Sequence, residues 1–492
     1  MFIRHSFSPL RRSSRPARFV VIALACLTLR PLIAFSADTE AERLARLEAA
    51  VQALQAQNAD LKREVSELKQ HKPAKPIAAP ATATATRKED DRKAIVETKL
   101  EEKKPVYVTP AGVDAKLVLG GFVQGQYEIG DVSAYDGRFR GPLSAKTKDR
   151  FRLRRARISV SGEFADQFEF KLEGGFETND TTLNVRDASG RSLVNNTNRT
   201  SFGATDVWVN WHAIPEMNLK LGQFKAPFGL EQLSPDAKLL TIERSQVTEA
   251  LTPERQIGLQ VWGKPFASAW PEQKDLLTYS AGIFNGSGRN TTTNDNNEYM
   301  YVGRLEAQLF SGRLAGQDAA VKLGGNYFTS RDERGVNISQ TGNLLVTTDG
   351  SLSAFVLPSG DQRNAFGVDG SLHFGPFDLV GEYLNERVRP RSIAGVGPAF
   401  SRFNADGYYL TGAYYLVPKK LQLVAKWESF NPGQVANDDL QSISGGLNYY
   451  IHGDDVKLMA DYLHTWSDFR QHNPRFGDDQ FDEVLVRLQL LF

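Results

Sequence analysis

The C-terminal stretch Glu483–Phe492, with the sequence EVLVRLQLLF, alternates strictly in character. Every second residue from Val484 to the terminal Phe492 is apolar, whereas the positions between them include Arg487 and Gln489. Successive side chains of a β-strand point to opposite faces, so this pattern predicts a strand with one apolar and one more polar face. Strands that face lipid on one side and a polar lumen on the other are typical of transmembrane β-barrels.

The same alternation recurs along the chain between residues 111 and 492, in about sixteen segments. In one of them, Phe168, Phe170 and Leu172 alternate with Glu169 and Lys171. Tight connections alternate with long ones along this region. The tight ones are Ala165-Asp166, Gly375-Pro376, Pro418-Lys419 and Gly453-Asp454, and the long ones are residues 131–148, 178–203, 225–254, 330–362 and 389–403.

An even number of strands, with short turns at one end and long loops at the other, is how outer-membrane barrels are built. We therefore predict an all-β domain over residues 111–492, folded as a 16-stranded antiparallel transmembrane β-barrel. About sixteen strands enclose a water-filled lumen. A soluble β-sandwich is the alternative, but it would not explain the even strand count together with a last strand that ends on phenylalanine.

The composition agrees with this class of fold. Mean hydropathy is −0.37, and beyond residue 37 no apolar run is long enough to be a membrane-spanning helix. The only cysteine is Cys26, so a chain that has lost its N-terminal segment has neither a disulfide nor a thiolate metal site. Removal of residues 1–36, which hold six arginines and no acidic residue, changes the formal charge from +1 to −5. Net charge therefore does not favour anion binding.

Residues 1–36 have the three parts of a secretory signal peptide. A basic segment with five arginines precedes the short apolar core Phe19–Leu29, and Ala34-Phe35-Ser36 is a small-x-small cleavage site. The alternative is a lipoprotein signal, in which Leu24-Ala25-Cys26 places a lipidated cysteine at the mature N-terminus. Both interpretations predict export of the chain.

A heptad pattern occupies residues 37–70. Four heptads without a slip predict a short α-helical coiled coil on the periplasmic side, with an amphipathic surface helix as the alternative. The Pro/Ala/Thr-rich and then charged residues 71–110 are predicted to form an extended linker. The predicted seam consists of Leu44, Leu47, Val51, Leu54, Asn58, Leu61, Val65 and Leu68.

Five segments of the barrel region carry a more specific signature. They are Phe151–Val160 (FRLRRARISV), Thr205–Trp211 (TDVWVNW), Leu221–Glu231 (LGQFKAPFGLE), Thr241–Ser245 (TIERS) and Arg255–Trp262 (RQIGLQVW). In this order they resemble the phosphate-selective porin O/P family of outer-membrane porins, and the resemblance extends from about residue 110 to 492. It implies a barrel that is typically trimeric, with a third loop folded into the lumen and an anion site at the constriction.

The resemblance places arginines of the second strand at that site. Arg154 and Arg155 match the pair that holds the anion in the family, and alternation sends Arg155 and Arg157 to the lumen. A guanidinium group suits a phosphate or a carboxylate, because it replaces part of the hydration that the ion loses. The alternative is that the arginines lie at the lipid headgroups, which applies best to Arg150 and Arg152 near the loop.

Two further residues are assigned by the same resemblance. Arg244 matches the arginine that the third loop contributes to the anion site of the family. Asp206 matches the carboxylate that accepts a proton from protonated phosphate. The alternative for Asp206 is an ordinary aspartate at a loop end or between strands.

The third-loop region departs from the phosphate-specific pattern. Gln232 stands where those members have a lysine, and Pro235-Asp236 replace a pair of serines. Proline has no N–H to donate, and an aspartate repels an anion. Lys225 and Lys238 would restore positive charge, although both fit the description of solvated loop lysines equally well. Strict phosphate selectivity is therefore in doubt.

Taken together, these patterns predict an outer-membrane porin, a water-filled channel for small anions such as phosphate, with arginines at its constriction. A general, weakly selective porin is one alternative, and a barrel that tethers the envelope through a cell-wall-binding coiled coil is another. An enzyme is not expected, since the seven histidines lack the His-Glu-x-x-His spacing and Gly286-Ser287-Gly288 lacks the context of a hydrolase nucleophile.

The expected setting is the outer membrane of a Gram-negative-type bacterium. The expected partners are inorganic phosphate or other small anions, outer-membrane lipid, further copies of the chain in a homotrimer, and peptidoglycan through the coiled coil. No cofactor, metal or nucleic acid is expected. Valine at a with leucine at d favours a two-stranded coiled coil, which conflicts with a trimer, and the sequence leaves this conflict open.

Overall fold

A computed structural model describes most of the predicted barrel domain. The predicted signal peptide, the coiled coil and nearly all of the linker lie outside the described residues. Among the described residues, no helix is long and apolar enough to cross a membrane. The described residues are 107–108, 115–136, 148–177, 184–186, 192–195, 201–292, 294, 296–332, 345–346, 352–353, 361–390, 402–433, 436–474 and 477–492.

Sixteen antiparallel strands form a closed barrel, which confirms the predicted fold. Each strand pairs with its neighbours in the chain, and the last pairs with the first. The strands are β1 (Ala115–Gly130), β2 (Arg150–Phe164), β3 (Phe168–Glu177), β4 (Ser201–Ile214), β5 (Met217–Lys225), β6 (Arg255–Gly263), β7 (Leu277–Phe284), β8 (Met300–Leu314), β9 (Gln317–Asp332), β10 (Asp361–Phe374), β11 (Phe377–Pro390), β12 (Phe403–Val417), β13 (Leu421–Asn431), β14 (Leu440–His452), β15 (Val456–Ser467) and β16 (Gln480–Leu491).

Three short pairings accompany the barrel. Tyr107–Val108 pairs with the start of β1, in the position beyond the end of β16. Two small hairpins lie in the connections after β3 and β9. Their strands are Asn184–Arg186 with Ser192–Asn195, and Leu345–Val346 with Leu352–Ser353.

The two faces of β16 behave as its alternation predicts. Val484, Leu488 and Leu490 are exposed on the outside of the barrel, whereas Arg487 and Gln489 are buried inside it. Outward apolar side chains can face lipid without cost, while the inward polar groups need partners within the lumen. The alternation along β3 is likewise confirmed, with Leu172 and Phe176 exposed.

The last residue of the chain adds to the closure of the barrel. The Phe492 N–H donates to the Gly121 carbonyl over 3.1 Å, and the Gly121 N–H donates to the Phe492 carbonyl over 2.7 Å. The aromatic ring lies against the α-carbon of Gly121, where an added Cβ would come within 2.1 Å of it. A side chain at position 121 would therefore have to push the exposed Phe492 ring aside, whereas glycine lets the ring stay against the strand.

Short turns join the strands at one end of the barrel, as predicted. Ala165, Gly375, Lys419 and Gly453 all adopt positive φ at these turns, a backbone conformation that tight hairpins require. One connection at this end is longer than the others. Residues 264–276 join β6 to β7 and include a 3-10 turn at Pro271–Gln273, which the sequence analysis did not single out.

Most of the longer connections lie at the opposite end and carry short helices. Helix α1 (Val132–Asp136) follows β1, and α4 (Asp468–His472) precedes β16. Arg470 of α4 donates to the Ala134 carbonyl of α1 over 3.1 Å, so the first and last of these connections contact each other. This contact spans the same seam that Phe492 closes at the other end.

The third long connection, residues 226–254 (the third loop), enters the lumen as the family resemblance implied. It contains α2 (Leu230–Leu233), a 3-10 turn (Asp236–Lys238) and α3 (Gln246–Leu251). The Ser245 hydroxyl caps α3 by accepting from the Thr248 N–H over 3.2 Å.

An apolar cluster fixes the third loop to the barrel wall. Phe228 and Leu251 of the loop are fully buried and belong to the same cluster as Phe328 of β9 and Leu384 of β11. The Phe228 and Phe328 rings meet edge to face, with centroids 4.8 Å apart. Full burial of one such side chain contributes about 2–3 kcal/mol. The lumen of this barrel is thus partly a packed core.

Deletion of Phe492 tests how closure depends on the last residue. It removes two backbone hydrogen bonds from the β1–β16 seam, and we expect a lower yield of folded barrel in the outer membrane. Molecules that do fold should have a conductance close to that of the intact protein, since the contacts described for the third loop come from other residues. Heat-modifiability on gels and single-channel recording measure the two quantities. Normal folded yield after the deletion would contradict this role.

Candidate functional site in the lumen

A β-bulge in β2 turns its arginines toward the lumen. Gln124 of β1 pairs with Arg155, but the next residue, Gly125, pairs with Leu153, so Arg154 is the extra residue of the bulge. Arg155 and Arg157 are buried in the lumen, as predicted from alternation. Arg154 also reaches the lumen through the bulge, which simple alternation does not predict.

The two arginines nearer the mouth are bound inside the barrel and do not lie at the headgroups. Arg150 Nε donates to the Glu128 carboxylate over 2.7 Å, and Arg152 Nη1 donates to the same group over 3.2 Å. Glu128 is buried on the inner face of β1. The headgroup alternative is therefore wrong for this pair, because a buried carboxylate on the neighbouring strand draws both side chains inward.

Arg154 and Arg487 hold the carboxylate of Glu243 in the third loop. Arg154 donates to both carboxylate oxygens, over 3.0 and 3.2 Å. Arg487 of β16 donates to Glu243 over 2.6 Å and also bonds the Ile242 carbonyl and the Gln126 side chain. Buried charges of opposite sign at these distances compensate each other's loss of hydration. This cluster joins the third loop to the seam strands.

A second cluster surrounds the carboxylate of Asp236. Arg157 Nη1 donates to Oδ2 over 2.6 Å, and Arg244 Nη1 lies 2.7 Å from Oδ1. Arg155 Nη2 lies 3.7 Å from Oδ1, while its Nη1 donates to Gln124 over 2.9 Å. Three of the predicted anion-site arginines thus converge on one point, and a carboxylate of the protein occupies that point.

The arginines control the ionisation of both loop carboxylates. Burial alone would raise the pKa of Asp236, but the charges of Arg155, Arg244 and Arg157 outweigh burial and hold it well below its usual range. Burial opposes ionisation of Glu243 in the same way, and Arg154 and Arg487 hold its pKa well below the ordinary value. Both carboxylates therefore stay charged at neutral pH.

The remaining predicted site residues occupy different places. Arg255 of β6 binds Asp206 through two hydrogen bonds of 3.1 and 2.9 Å, and Lys171 Nζ lies 3.9 Å from the same carboxylate. Lys225 Nζ donates to the Ser234 carbonyl of the third loop over 3.0 Å. Lys238 is exposed, as the solvated-loop interpretation expects.

Wall carboxylates hold the backbone of the third loop. Glu382 of β11 accepts from the N–H of Leu230 over 2.7 Å, at the start of α2. Glu428 of β13 accepts from the N–H of Gln246 at the start of α3 over 2.8 Å. Side-chain oxygens suit these positions, because the first N–H groups of a helix have no partner within it. Asp461 of β15 similarly accepts from the Ile242 N–H over 2.6 Å.

Wall lysines bind loop carbonyls in a complementary way. Lys457 of β15 donates to the carbonyls of Ala237 and Leu239 over 3.1 and 3.3 Å. Lys426 of β13 donates to the Glu243 carbonyl over 3.0 Å. Acidic and basic side chains thus both occur on the lumen face of the wall, and many of them bind the third loop. A solute in the lumen therefore does not encounter these side chains as unpaired charges.

An open cavity remains between the third loop and the part of the barrel wall that faces it. We call this cavity the passage. Its volume is about 670 Å³. The third loop lines it with residues that include Pro235 and Asp236, and the opposite wall with residues that include Trp208. Six cationic and four carboxylate side chains line the passage: Arg157, Lys171, Lys220, Lys225, Arg255 and Arg304, with Glu173, Asp206, Asp236 and Glu306.

A family model described as phosphate-selective porin O and P matches residues 122–492. The chain belongs to this family. It is accordingly an outer-membrane porin, a channel and not an enzyme, as the sequence predicted. No curated protein matches the chain.

Solved structures with a similar fold share little sequence with this porin. A loop-deletion mutant of OmpT from Vibrio cholerae is 12% identical, with a TM-score of 0.48, over 77% of this chain and 99% of that one. OmpF of Salmonella typhi, in complex with daunomycin, is 13% identical with a TM-score of 0.47, over 79% and 100%. The channel DcaP of Acinetobacter baumannii is 12% identical with a TM-score of 0.45, over 79% and 100%.

Several residues of the site were not assigned by the sequence. Glu243 lies in the segment TIERS, in which the family resemblance assigns a role only to the neighbouring Arg244. Alternation predicts that Arg487 faces inward from β16, but its partner in the third loop lies 244 residues away in the sequence. Asp236 was expected to repel anions from a loop, and the structure places it among the arginines. Such pairings depend on where the third loop folds, which no local pattern encodes.

A double-mutant cycle on Arg487 and Glu243 tests the loop anchor. Arg487→Met and Glu243→Gln should each destabilise the barrel by about 3 kcal/mol, because each leaves a buried charge without a main partner. The double variant should lose clearly less than the sum. Urea unfolding in lipid vesicles gives these values. The exposed pair Arg313–Asp318, at 3.4 Å, is the matched control and should show almost no coupling.

The pKa directions of Asp236 and Glu243 predict how the channel responds to acid. A carboxylate with a depressed pKa in the folded state stabilises that state at pH values above its unfolded pKa, about 4, and loses this contribution as the pH falls through the folded pKa. Single-channel current noise should therefore be constant from about pH 8 to 5 and increase only below about pH 4. Noise that already increases above pH 5 would show that Asp236 and Glu243 do not determine the response to acid.

Proposed function

We propose that this porin conducts small hydrophilic solutes through the passage and prefers anions weakly. The observation that carries the proposal is the excess of cationic over carboxylate side chains along the passage. Fixed charges in a narrow, partly dehydrated channel act on ions more strongly than distant charges, which are screened within about 8 Å at physiological salt.

Exposure along the passage supports the same sign of selectivity. The Lys171 side chain keeps 30% of its surface exposed, although its Nζ lies 2.7 Å from Glu173. Two of the passage carboxylates are more covered, with 15% of the Asp206 side chain and 5% of the Asp236 side chain exposed, while Glu306 keeps 29%. An ion beside Lys171, Asp206 and Asp236 therefore contacts more accessible positive than negative charge.

Strong selectivity for phosphate is not part of the proposal. The family description names phosphate, and Arg155, Arg157 and Arg244 are suited to it in charge and shape. Asp236 places a negative charge within 3.7 Å of each of these guanidinium groups. One carboxylate cancels only part of the charge of three guanidinium groups, but it occupies donors that a phosphate ion would need, so the cluster attracts phosphate and holds it only weakly.

The N-terminal region is proposed to lie in the periplasm. Ala115, where β1 begins, pairs with Phe164 beside the tight turn after β2, and Tyr107–Val108 pairs at the same end. The chain therefore enters the barrel from the side of the short turns, which faces the periplasm in such barrels. A signal peptide over residues 1–36, a coiled coil over 37–70, a homotrimer and attachment to peptidoglycan are proposals that agree with this orientation.

Reversal potentials in a KCl gradient test the proposed selectivity. The intact channel should show a modest preference for chloride, and Lys171→Glu should shift the chloride-to-potassium permeability ratio toward potassium by about twofold or more, the effect of a charge at about 8 Å in water. Arg313→Glu makes the same change of charge at an exposed site and should have much less effect. A preference for potassium in the intact channel would overturn the proposal.

A further inference from the structure

Asp236 occupies the position that a bound oxyanion would take in the arginine cluster. Its two carboxylate oxygens bridge two guanidinium groups, with Arg157 Nη1 at 2.6 Å from Oδ2 and Arg244 Nη1 at 2.7 Å from Oδ1. A third guanidinium nitrogen, from Arg155, lies 3.7 Å away. Asp236 is itself buried, so water does not take the place of these guanidinium groups around its carboxylate.

We propose that Asp236 is a tethered internal ligand of an oxyanion site formed by Arg155, Arg157 and Arg244, and that soluble oxyanions enter the site only by displacing it. The inference deepens the proposed function and rests on it, since it explains why this lumen attracts anions without retaining them. The ligand chemistry is that of a compact oxyanion, shared by inorganic phosphate and small carboxylates.

The cluster is accessible from the passage. Asp236 and Arg157 both line the passage, whereas Arg155 and Arg244 reach the Asp236 carboxylate without lining the passage. An anion in the passage therefore approaches the Asp236 carboxylate and one edge of Arg157. Withdrawal of the Asp236 side chain would open the way to all three guanidinium groups.

Tethering explains why the internal carboxylate outcompetes free anions. A group held by a short segment of chain acts at an effective concentration of millimolar or higher, and it does not lose translational freedom when it binds. Free phosphate must reach a comparable concentration before it competes. The intact channel should therefore be blocked only weakly by phosphate.

The third loop has enough other anchors to survive the loss of the Asp236 charge. Lys457 donates to the Ala237 and Leu239 carbonyls, and Gln489 donates to Ala237 over 3.0 Å. Glu382 and Glu428 bind the N–H groups at the starts of α2 and α3. The segment that carries Asp236 is thus held on its other side independently of the arginines. A variant at this position can leave the site vacant without releasing the loop.

The test compares Asp236→Asn with the intact porin in planar bilayers. Phosphate is titrated into a constant chloride background, and acetate is titrated in a separate series. Asp236→Asn should lower the phosphate concentration that halves the chloride current by about tenfold or more, the difference expected for one charge-assisted hydrogen bond. Asp236→Ser, which removes the same charge with a smaller side chain, should behave in the same way.

Two controls separate a vacated site from a simple change of charge. Glu306→Gln removes one negative charge from the same passage without touching the cluster, and it should shift reversal potential but leave phosphate block weak. Adding Arg157→Gln to Asp236→Asn should abolish the new block. Unchanged heat-modifiability, together with discrete single-channel openings, shows that each variant folds.

These outcomes test the role of Asp236 separately from the proposed anion preference of the channel. Stronger block by phosphate, by acetate or by both in the two Asp236 variants supports the tethered ligand, and the relative strength of the two anions tells which source of oxyanion the site prefers. Block no stronger than in Glu306→Gln overturns it. A preference of the intact channel for potassium would overturn the proposed anion preference, whereas the comparison of block between variants would still decide the role of Asp236.

Discussion

The lumen of this porin is organised by the need to pair charges that are buried inside a barrel. An isolated charge away from water is costly, so each arginine brought inside by the alternation of a strand needs an acidic partner. The third loop supplies two such partners, Asp236 and Glu243, and the wall supplies others. In return, wall carboxylates and lysines bind the unpaired backbone groups of the loop. Electrostatic pairing therefore fixes the position of the loop, and the position of the loop decides where the passage remains open.

This organisation shows why a count of all lumen charges, without regard to which of them border the passage, says little about selectivity. Arg487 and Lys457 are almost completely buried, and both hold the third loop. Lys171, which borders the open passage, has more influence on a passing ion although its charge is the same. The charge that acts on a passing ion is the charge that remains exposed after the structural ion pairs have formed. Little of it remains in a barrel whose lumen is largely packed.

The sequence predicted the barrel well because strand alternation is a local property. One face of each strand must suit lipid and the other the lumen, and this requirement is written directly in residues such as Leu488 and Arg487. The inward direction of Arg155 and Arg157 followed from the same rule. Arg154 did not, because a bulge shifts the register by one residue and its position depends on the pairing with β1. The role of Asp236 could not be predicted either, since it depends on the path of a loop whose contacts come from distant strands.

The seam between β1 and β16 has a consequence for how the protein folds. Every other strand pair joins neighbours in the chain and can form as a hairpin, whereas this pair joins residues more than 350 positions apart, such as Gly130 and Glu483. Contacts so distant in sequence are slow to form, although the entropy of closing the loop increases only with the logarithm of its length. Until they form, the sheet has two open edges with unpaired N–H and C=O groups, which are a template for pairing with another chain. Aggregation of this porin should therefore compete with the final ring closure and not with the formation of the hairpins.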